Sequence, residues 1–162
     1  MVIKTADLCD RFDTALQACA PLFRDFGGRR QFQGGVATVK CFEDNSLVKA
    51  ALAEPGEGRV LVVDAGGSMR CAMLGDQLAA SAVHNGWSGI ILYGCIRDSA
   101  QLAGMALGVK ALGSHPHKSV KRGEGRRDLP VSFAAVTFKP GDFVYCDEDG
   151  ILVAAEELTW HG

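Results

Sequence analysis

RVLVVD, residues 59–64, holds four consecutive aliphatic side chains and no alternation of polar and apolar positions. A strand with one wet face alternates, whereas a strand buried on both faces does not. The same reading applies to GIILY, Gly89–Tyr93. Between them, Ala65-Gly66-Gly67-Ser68 is a turn, and a helix runs from Gly75 to Gly86 with Leu78, Ala79, Ala82 and Val83 turned inward. A further helix starts at Asp98, with Leu102 and Met105 inward, and Val109–Leu112 is a short strand. Strand, helix, strand, helix, strand is the order of parallel strands joined by crossover helices.

Working outward, a helix begins near Thr5 and carries Leu8, Phe12 and, at its far end, Leu16. Val36–Phe42 alternates as a strand. Asn45 or Ser46 caps a helix bearing Leu47, Val48, Ala51 and Leu52, which Pro55-Gly56 stops. Beyond the parallel core, Ser114–Arg127 is polar, basic and glycine-rich. Val131–Val136, Phe143–Cys146 and Ile151–Ala154 are short strands set off by turns at Pro140-Gly141-Asp142 and Asp147–Gly150. The expectation is an α/β core with added β-hairpin structure.

The chain has 162 residues, 48% apolar and 22% charged, which fits one domain spanning 1–162 with a full hydrophobic core. A formal net charge of −2 gives no basic footprint for nucleic acid. The six cysteines include no Cys-x-x-Cys pair and no zinc-ligand spacing, so reduced thiols in a cytoplasmic protein are expected. No segment approaches the roughly 20 apolar residues of a membrane helix, and the start of the chain does not read as a signal peptide.

Gly94-Cys95-Ile96-Arg97-Asp98 leaves a buried strand and enters a helix. Ligand sites of open α/β sheets lie outside the carboxyl ends of strands. The Arg97 fork can bind a carboxylate through two parallel bonds, and Asp98 offers the hard oxygens that suit Mg²⁺ or Mn²⁺. Set against this, Asp98-Ser99-Ala100-Gln101 fits a capping box, in which Asp98 simply caps its own helix. Gly75-Asp76-Gln77-Leu78 opens the preceding helix. Its first N–H groups have no intrahelical partner and form an anion site unless Asp76 caps them. Together, that helix start and Arg97 could grip one carboxylate from two sides, beside Asp98.

Other features are weaker. Asp64-Ala65-Gly66-Gly67 lacks dinucleotide-loop spacing. His84 reads as an ordinary helical residue, and His115 and His117 flank Pro116 without a third ligand. Met69, Met73 and Met105 read as packing residues. Lys118, Lys121, Arg122, Arg126 and Arg127 form a basic run, usually a solvated loop, that could attract an acidic substrate or RNA.

The stretches LCDRFDTAL, PLFRDFGGRRQFQGGVATVKCFEDN, GRVLVVDAGGSMRCAMLGDQLA, GWSGIILYGCIRDSAQL and VTFKPGDFVYCDEDGILVA agree in order and spacing with a known family. Over nearly its full length the chain resembles the RraA-like family. That family includes the regulator of ribonuclease activity A and the class II 4-hydroxy-4-methyl-2-oxoglutarate aldolases. Its aldolase members carry an aspartate, twenty intervening residues and then Arg-Asp, as Asp76 and Arg97-Asp98 do here.

The resemblance implies a swivelling β/β/α sandwich with a central mixed, partly parallel sheet, assembled as a homotrimer with sites between subunits. It implies that Asp98 anchors a divalent cation, partly through waters, that Arg97 binds substrate, and that the backbone of Gly75, Asp76, Gln77 and Leu78 holds a pyruvyl carboxylate. Asp76 would orient a water for proton transfer. The implied activity is aldol cleavage to pyruvate, with oxaloacetate decarboxylation alongside it. The alternative is a regulator that binds and restrains an endoribonuclease such as RNase E. Gln101, where aldolases usually place Glu or Asp, and the end of the chain at Gly162 lean toward that branch.

Overall fold

Alternate residues of the 59–64 run enter two different cores. Leu61 and Val63 pack with Val48, Ala79 and Leu92 on one face of the sheet. Val60 and Val62 pack with Ile91, Phe133 and Phe138 on the other. Period-two side-chain geometry forces this split, and the run is apolar throughout because both faces are covered.

The computed structural model describes residues 3–159. In chain order the elements are α1 (Thr5–Phe12), β1 (Leu16–Ala18), β2 (Arg24–Asp25), β3 (Phe32–Lys40), α2 (Ser46–Leu52), β4 (Val60–Asp64), β5 (Ala72–Leu74) and α3 (Asp76–His84). There follow β6 (Gly89–Ile96), α4 (Ser99–Leu102), β7 (Gly108–Ser114), β8 (Arg126–Arg127), β9 (Val131–Phe133), β10 (Val136–Phe138), β11 (Phe143–Asp147) and β12 (Gly150–Ala154).

The main sheet is mixed. Its order is β1-β12-β11-β3-β4-β6-β7-β2, with β5 added to β6 and β8 to β3. β3, β4, β6 and β7 are parallel neighbours joined through α2, α3 and α4, as the strand–helix alternation requires. The antiparallel part is β11, β12 and β1. α2, α3 and α4 cover one face, and the β9–β10 hairpin covers the other. This is a β/β/α layering around a mixed sheet. No helix among the described residues is long and apolar enough to cross a membrane.

Several expectations change. Val131–Val136 is not one strand but β9 and the start of β10, separated by Ala134 and Ala135 at φ 51° and 65°. Two successive left-handed residues make a tight hairpin turn, normally an Asn-Gly signal, and alanines carry no such signal. β5 lies between the turn at 65–68 and the helix from Gly75, where no strand is expected, and β8 lies at the end of the polar, basic, glycine-rich stretch. Leu16 belongs to β1, and Val83 and Met69 are exposed rather than packed. Neither Asn45 nor Ser46 caps α2 with its side chain. Asp44 Oδ1 instead accepts from the Ser46 N–H at 2.9 Å and the Ser46 hydroxyl at 2.6 Å.

Candidate active site

β5 and β6 run parallel, with Leu74 beside Ile96, and the Arg97 N–H donates to the Leu74 carbonyl at 2.9 Å. Both strands then turn into helices at the same level. Gly75-Asp76 and Arg97-Asp98 therefore lie side by side, although twenty residues separate Asp76 from Arg97.

Asp98 adopts a left-handed conformation, φ 57° and ψ 42°, and makes no side-chain bond to α4. The capping-box reading is thus corrected. Aspartate tolerates this backbone region better than most residues. Asp98 Oδ2 turns across to the neighbouring helix and accepts from the Asp76 N–H at 2.9 Å. Asp76 does not cap α3 either. Gly75 is at the cap position, Asp76 is the first helical residue, and no side chain of the cap residue bonds the helix start. With the Asp76 N–H taken by Asp98, the N–H groups of Gln77 and Leu78 are left without an i−4 partner.

Gly75 is demanded by this approach: a Cβ there would lie 2.7 Å from Asp98 Oδ2 and 3.4 Å from Arg97 Cγ. Among the described residues, the Arg97 guanidinium forms no ion pair.

A second wall faces this one. The Ala72 N–H donates to the His117 carbonyl at 2.7 Å, and the Val120 N–H to the Glu43 carbonyl at 3.0 Å. The loop after β7 is thereby docked between β5 and the start of α2. Asp44, 1% exposed, is the fastener. Besides Ser46, its Oδ2 accepts from the N–H groups of Arg122 at 2.8 Å and Glu124 at 3.2 Å. Burial pushes its pKa up, but the bonds from Ser46, Arg122 and Glu124 outweigh that and hold it at about 2.

The two walls enclose a cleft of about 620 Å³. Gly75, Asp76, Gln77, Leu78, Arg97 and Asp98 line one side, and Asn45, Lys49, His117–Ser119, Lys121 and Arg122 line much of the other. Part of the basic run therefore faces the cleft instead of being a merely solvated loop. Its far end does not: Arg127 makes a two-pronged ion pair with Glu54, at 2.8 and 2.9 Å. Asn45, Ser119 and Asp44 were not singled out in the sequence as parts of a site. The nearby cations were the only signal for this wall.

Among the described residues, no three His, Cys, Asp or Glu side chains cluster as a metal cage. The donor set that is present, one aspartate with one oxygen bonded to backbone and a second aspartate nearby, matches what Mg²⁺ accepts. Mg²⁺ keeps most of its waters and takes one or two carboxylates plus substrate oxygens. His115 Nδ1 accepts from the His117 N–H at 3.0 Å, so its unprotonated nitrogen is engaged locally. All six cysteines are free, and burial raises the pKa of Cys41 to about 12, which leaves it an unreactive thiol.

A mixed-sheet α/β fold with a cleft at parallel strand ends, lined by Arg97, Asp76 and Asp98, defines the class. The chain matches the RraA-like family (Aldolase/RraA) over residues 5–153, and it belongs to that family. A protein of Alkalilimnicola ehrlichii named "Putative 4-hydroxy-4-methyl-2-oxoglutarate aldolase" is 62% identical over 159 residues, 98% of this chain and 99% of the relative. The structure of the RNA-processing inhibitor RraA from Thermus thermophilis is similar at TM-score 0.95 and 42% identity, covering 99% of this chain and 98% of that one. A structure from Geobacillus kaustophilus, described as S-adenosylmethionine: 2-dimethylmenaquinone methyltransferase, is similar at TM-score 0.95 and 51% identity, covering 96% and 97%. Three names attach three activities to one fold, so the choice among them rests on the chemistry of the site.

Proposed function

We propose that this chain is a divalent-metal-dependent lyase of 2-oxo acids, a 4-hydroxy-4-methyl-2-oxoglutarate aldolase that also decarboxylates oxaloacetate. The observation that carries the reading is the left-handed turn at Asp98, which sets its carboxylate against the start of α3 beside Arg97, a guanidinium with no ion pair among the described residues.

Asp98 is the residue that would hold Mg²⁺ or Mn²⁺, with Asp76 as its neighbour at the start of α3. When bound, the cation supplies positive charge where the substrate's C2 oxygen becomes negative. The free N–H groups of Gln77 and Leu78, at the positive end of α3, receive the C1 carboxylate. The C3–C4 bond then breaks and its electron pair moves through C3 and C2 onto the C2 oxygen. Arg97 donates hydrogen bonds to that developing charge, so it stabilises the transition state more than the ground state. The C4 hydroxyl proton leaves through a water oriented by Asp76, C4 becomes the carbonyl of one pyruvate, and protonation at C3 completes the second. With oxaloacetate, CO₂ departs instead and the same enolate is protonated to pyruvate. Homotrimer assembly belongs to this proposal, and a light-scattering mass of a single chain would remove it.

A lactate-dehydrogenase-coupled assay tests the reading. Pyruvate should form from both substrates with Mg²⁺ and be lost in Asp98→Ala. Release no faster than with Mg²⁺ alone overturns it.

One finding favours a second reading, restraint of an endoribonuclease: the 42% identity to the Thermus inhibitor of RNA processing. Pull-down and RNA-cleavage assays at micromolar protein decide it, and absence of both binding and inhibition removes it.

A further inference from the structure

Away from the cleft, Arg70, Lys110 and Arg127 each pair with a carboxylate, those of Glu43, Asp25 and Glu54. The cations of the cleft do not. Lys49, Lys118, Lys121 and Arg122 line the wall opposite Arg97, all four are exposed, and among the described residues none forms an ion pair. With Arg97 the cleft holds five cations against two carboxylates, Asp76 and Asp98. A chain of formal net charge −2 thus gathers a surplus of positive charge in one place. Clustered like charges repel, and a cleft focuses their field, so this one draws anions.

The lyase reading uses only part of that charge. The C1 carboxylate of a substrate goes to the start of α3, and the charge on its C2 oxygen goes to Arg97. One wall holds both, so the chain beyond C3 runs toward the other wall. There the distal carboxylate of 4-hydroxy-4-methyl-2-oxoglutarate would bring a single negative charge to four cations. A phosphate ester brings nearly two charges and three strong acceptor oxygens, and ammonium and guanidinium groups both bind it. The room is present as well. A cleft of about 620 Å³ is within the roughly 300–1,000 Å³ of pockets that enclose drug-sized ligands, far more than pyruvate fills.

We infer that the cleft takes a 4-hydroxy-2-oxo acid that ends in a phosphate ester, with Lys49 from α2 and Lys118 from the loop after β7 holding the phosphate. This rests on the lyase reading above and adds a substrate class to it. Cleavage follows the same course. The C3–C4 electron pair moves to the C2 oxygen, the C4 hydroxyl proton leaves through the water at Asp76, and C3 takes up one proton from solvent. The products are pyruvate and a phosphorylated aldehyde. The phosphate exchanges no proton and serves only to bind.

The test compares kcat/KM for 2-keto-3-deoxy-6-phosphogluconate and 2-keto-3-deoxygluconate, which differ only in the phosphate, with Mg²⁺ present and oxaloacetate as the reference substrate. Wild type should favour the phosphorylated acid about 10–100-fold, the scale of hydrogen bonds between charged groups. The double variant Lys49→Gln, Lys118→Gln should lower that ratio about tenfold. Raising the salt to about 0.5 M should lower it too, because exposed charges are screened. Neither lysine is ion-paired in the fold, so the melting temperature of the double variant should not fall. If wild type decarboxylates oxaloacetate but the ratio is near one, or the phosphorylated acid is not cleaved, this inference falls and the lyase reading stands. A high ratio that survives in the double variant also overturns it, because the phosphate is then held elsewhere. Wild type that releases pyruvate from none of the three substrates overturns the lyase reading and this inference together.

Discussion

The wall at Gly75–Leu78 and Arg97–Asp98 and the wall at Asn45 and Ser119 reach the same cleft by different means. The first is made by two successive strand-to-helix passages. Once β5 and β6 pair in parallel, their ends are level, and the groups that follow them meet by construction. The second joins the start of α2 to a loop from the far half of the chain, and no regular element aligns them. Asp44 does that work, holding Ser46 with one oxygen and Arg122 and Glu124 with the other. One wall thus follows from strand pairing, while the other is assembled by a single buried carboxylate.

Four experiments would break or sharpen this contrast. The largest effect should come from the first wall: Arg97→Ala lowers kcat/KM for oxaloacetate about 10²–10³-fold, the scale of losing one donor to a developing oxyanion. Urea unfolding of that variant should stay within about 0.5 kcal/mol of wild type, because Arg97 forms no ion pair among the described residues. A comparable loss of stability would mean that Arg97 holds the fold.

The second wall should respond the other way. Asp44→Ala takes the shared acceptor from the part-buried backbone donors of Ser46, Arg122 and Glu124, and should cost about 1–3 kcal/mol in urea unfolding. An unchanged unfolding midpoint would deny Asp44 its role as fastener.

Gly75→Ala should be milder. A Cβ 2.7 Å from Asp98 Oδ2 displaces a side chain and not backbone, and Gly75 has an extended conformation that any residue adopts. The expected result is about a tenfold rise in the Mg²⁺ concentration needed for half-maximal activity, as for loss of a group that orients a metal ligand. The melting temperature should be nearly unchanged, and an unaltered Mg²⁺ requirement would separate Asp98 from the cation.

The smallest effect is in pH. Folding holds Asp44 at about 2, below its ordinary 3.8, and Asp147 is also lowered: burial opposes it, but bonds from Thr5, Asp149 and Gly150 prevail. A carboxyl that is more acidic when folded stabilises the fold above its unfolded value and loses that as pH falls. Urea midpoints should therefore decline between about pH 4 and pH 2, with a flatter decline in Asp44→Asn. A midpoint that rises on acidification would contradict the sign.

Much of this was legible in residue order because it depends on local periodicity. The apolar runs at 59–64 and 89–93, and the helices between, follow from which faces must be buried. The distance from Asp76 to Arg97-Asp98 is the length of one crossover. What was not legible depends on partners remote in sequence or on backbone angles that composition does not reveal. β5 is only three residues long and is defined by its pairing with β6. Asp98 fits a capping box by spacing, yet a left-handed turn sends its carboxylate to the preceding helix. Asn45 looks like a cap because nothing in its own segment says that Asp44 has taken that place.

The amino-acid order by itself determined the parallel core, the family and the strand ends at which a site belongs, because burial and helix initiation are local demands. The tertiary structure alone decided which oxygen of Asp98 is spent, which helix N–H groups stay open and that the start of α2 and the loop after β7 wall the same cleft. Those outcomes are set by hydrogen-bond accounting among groups brought together only when the chain closes, and a buried donor or acceptor has no way to declare its partner beforehand.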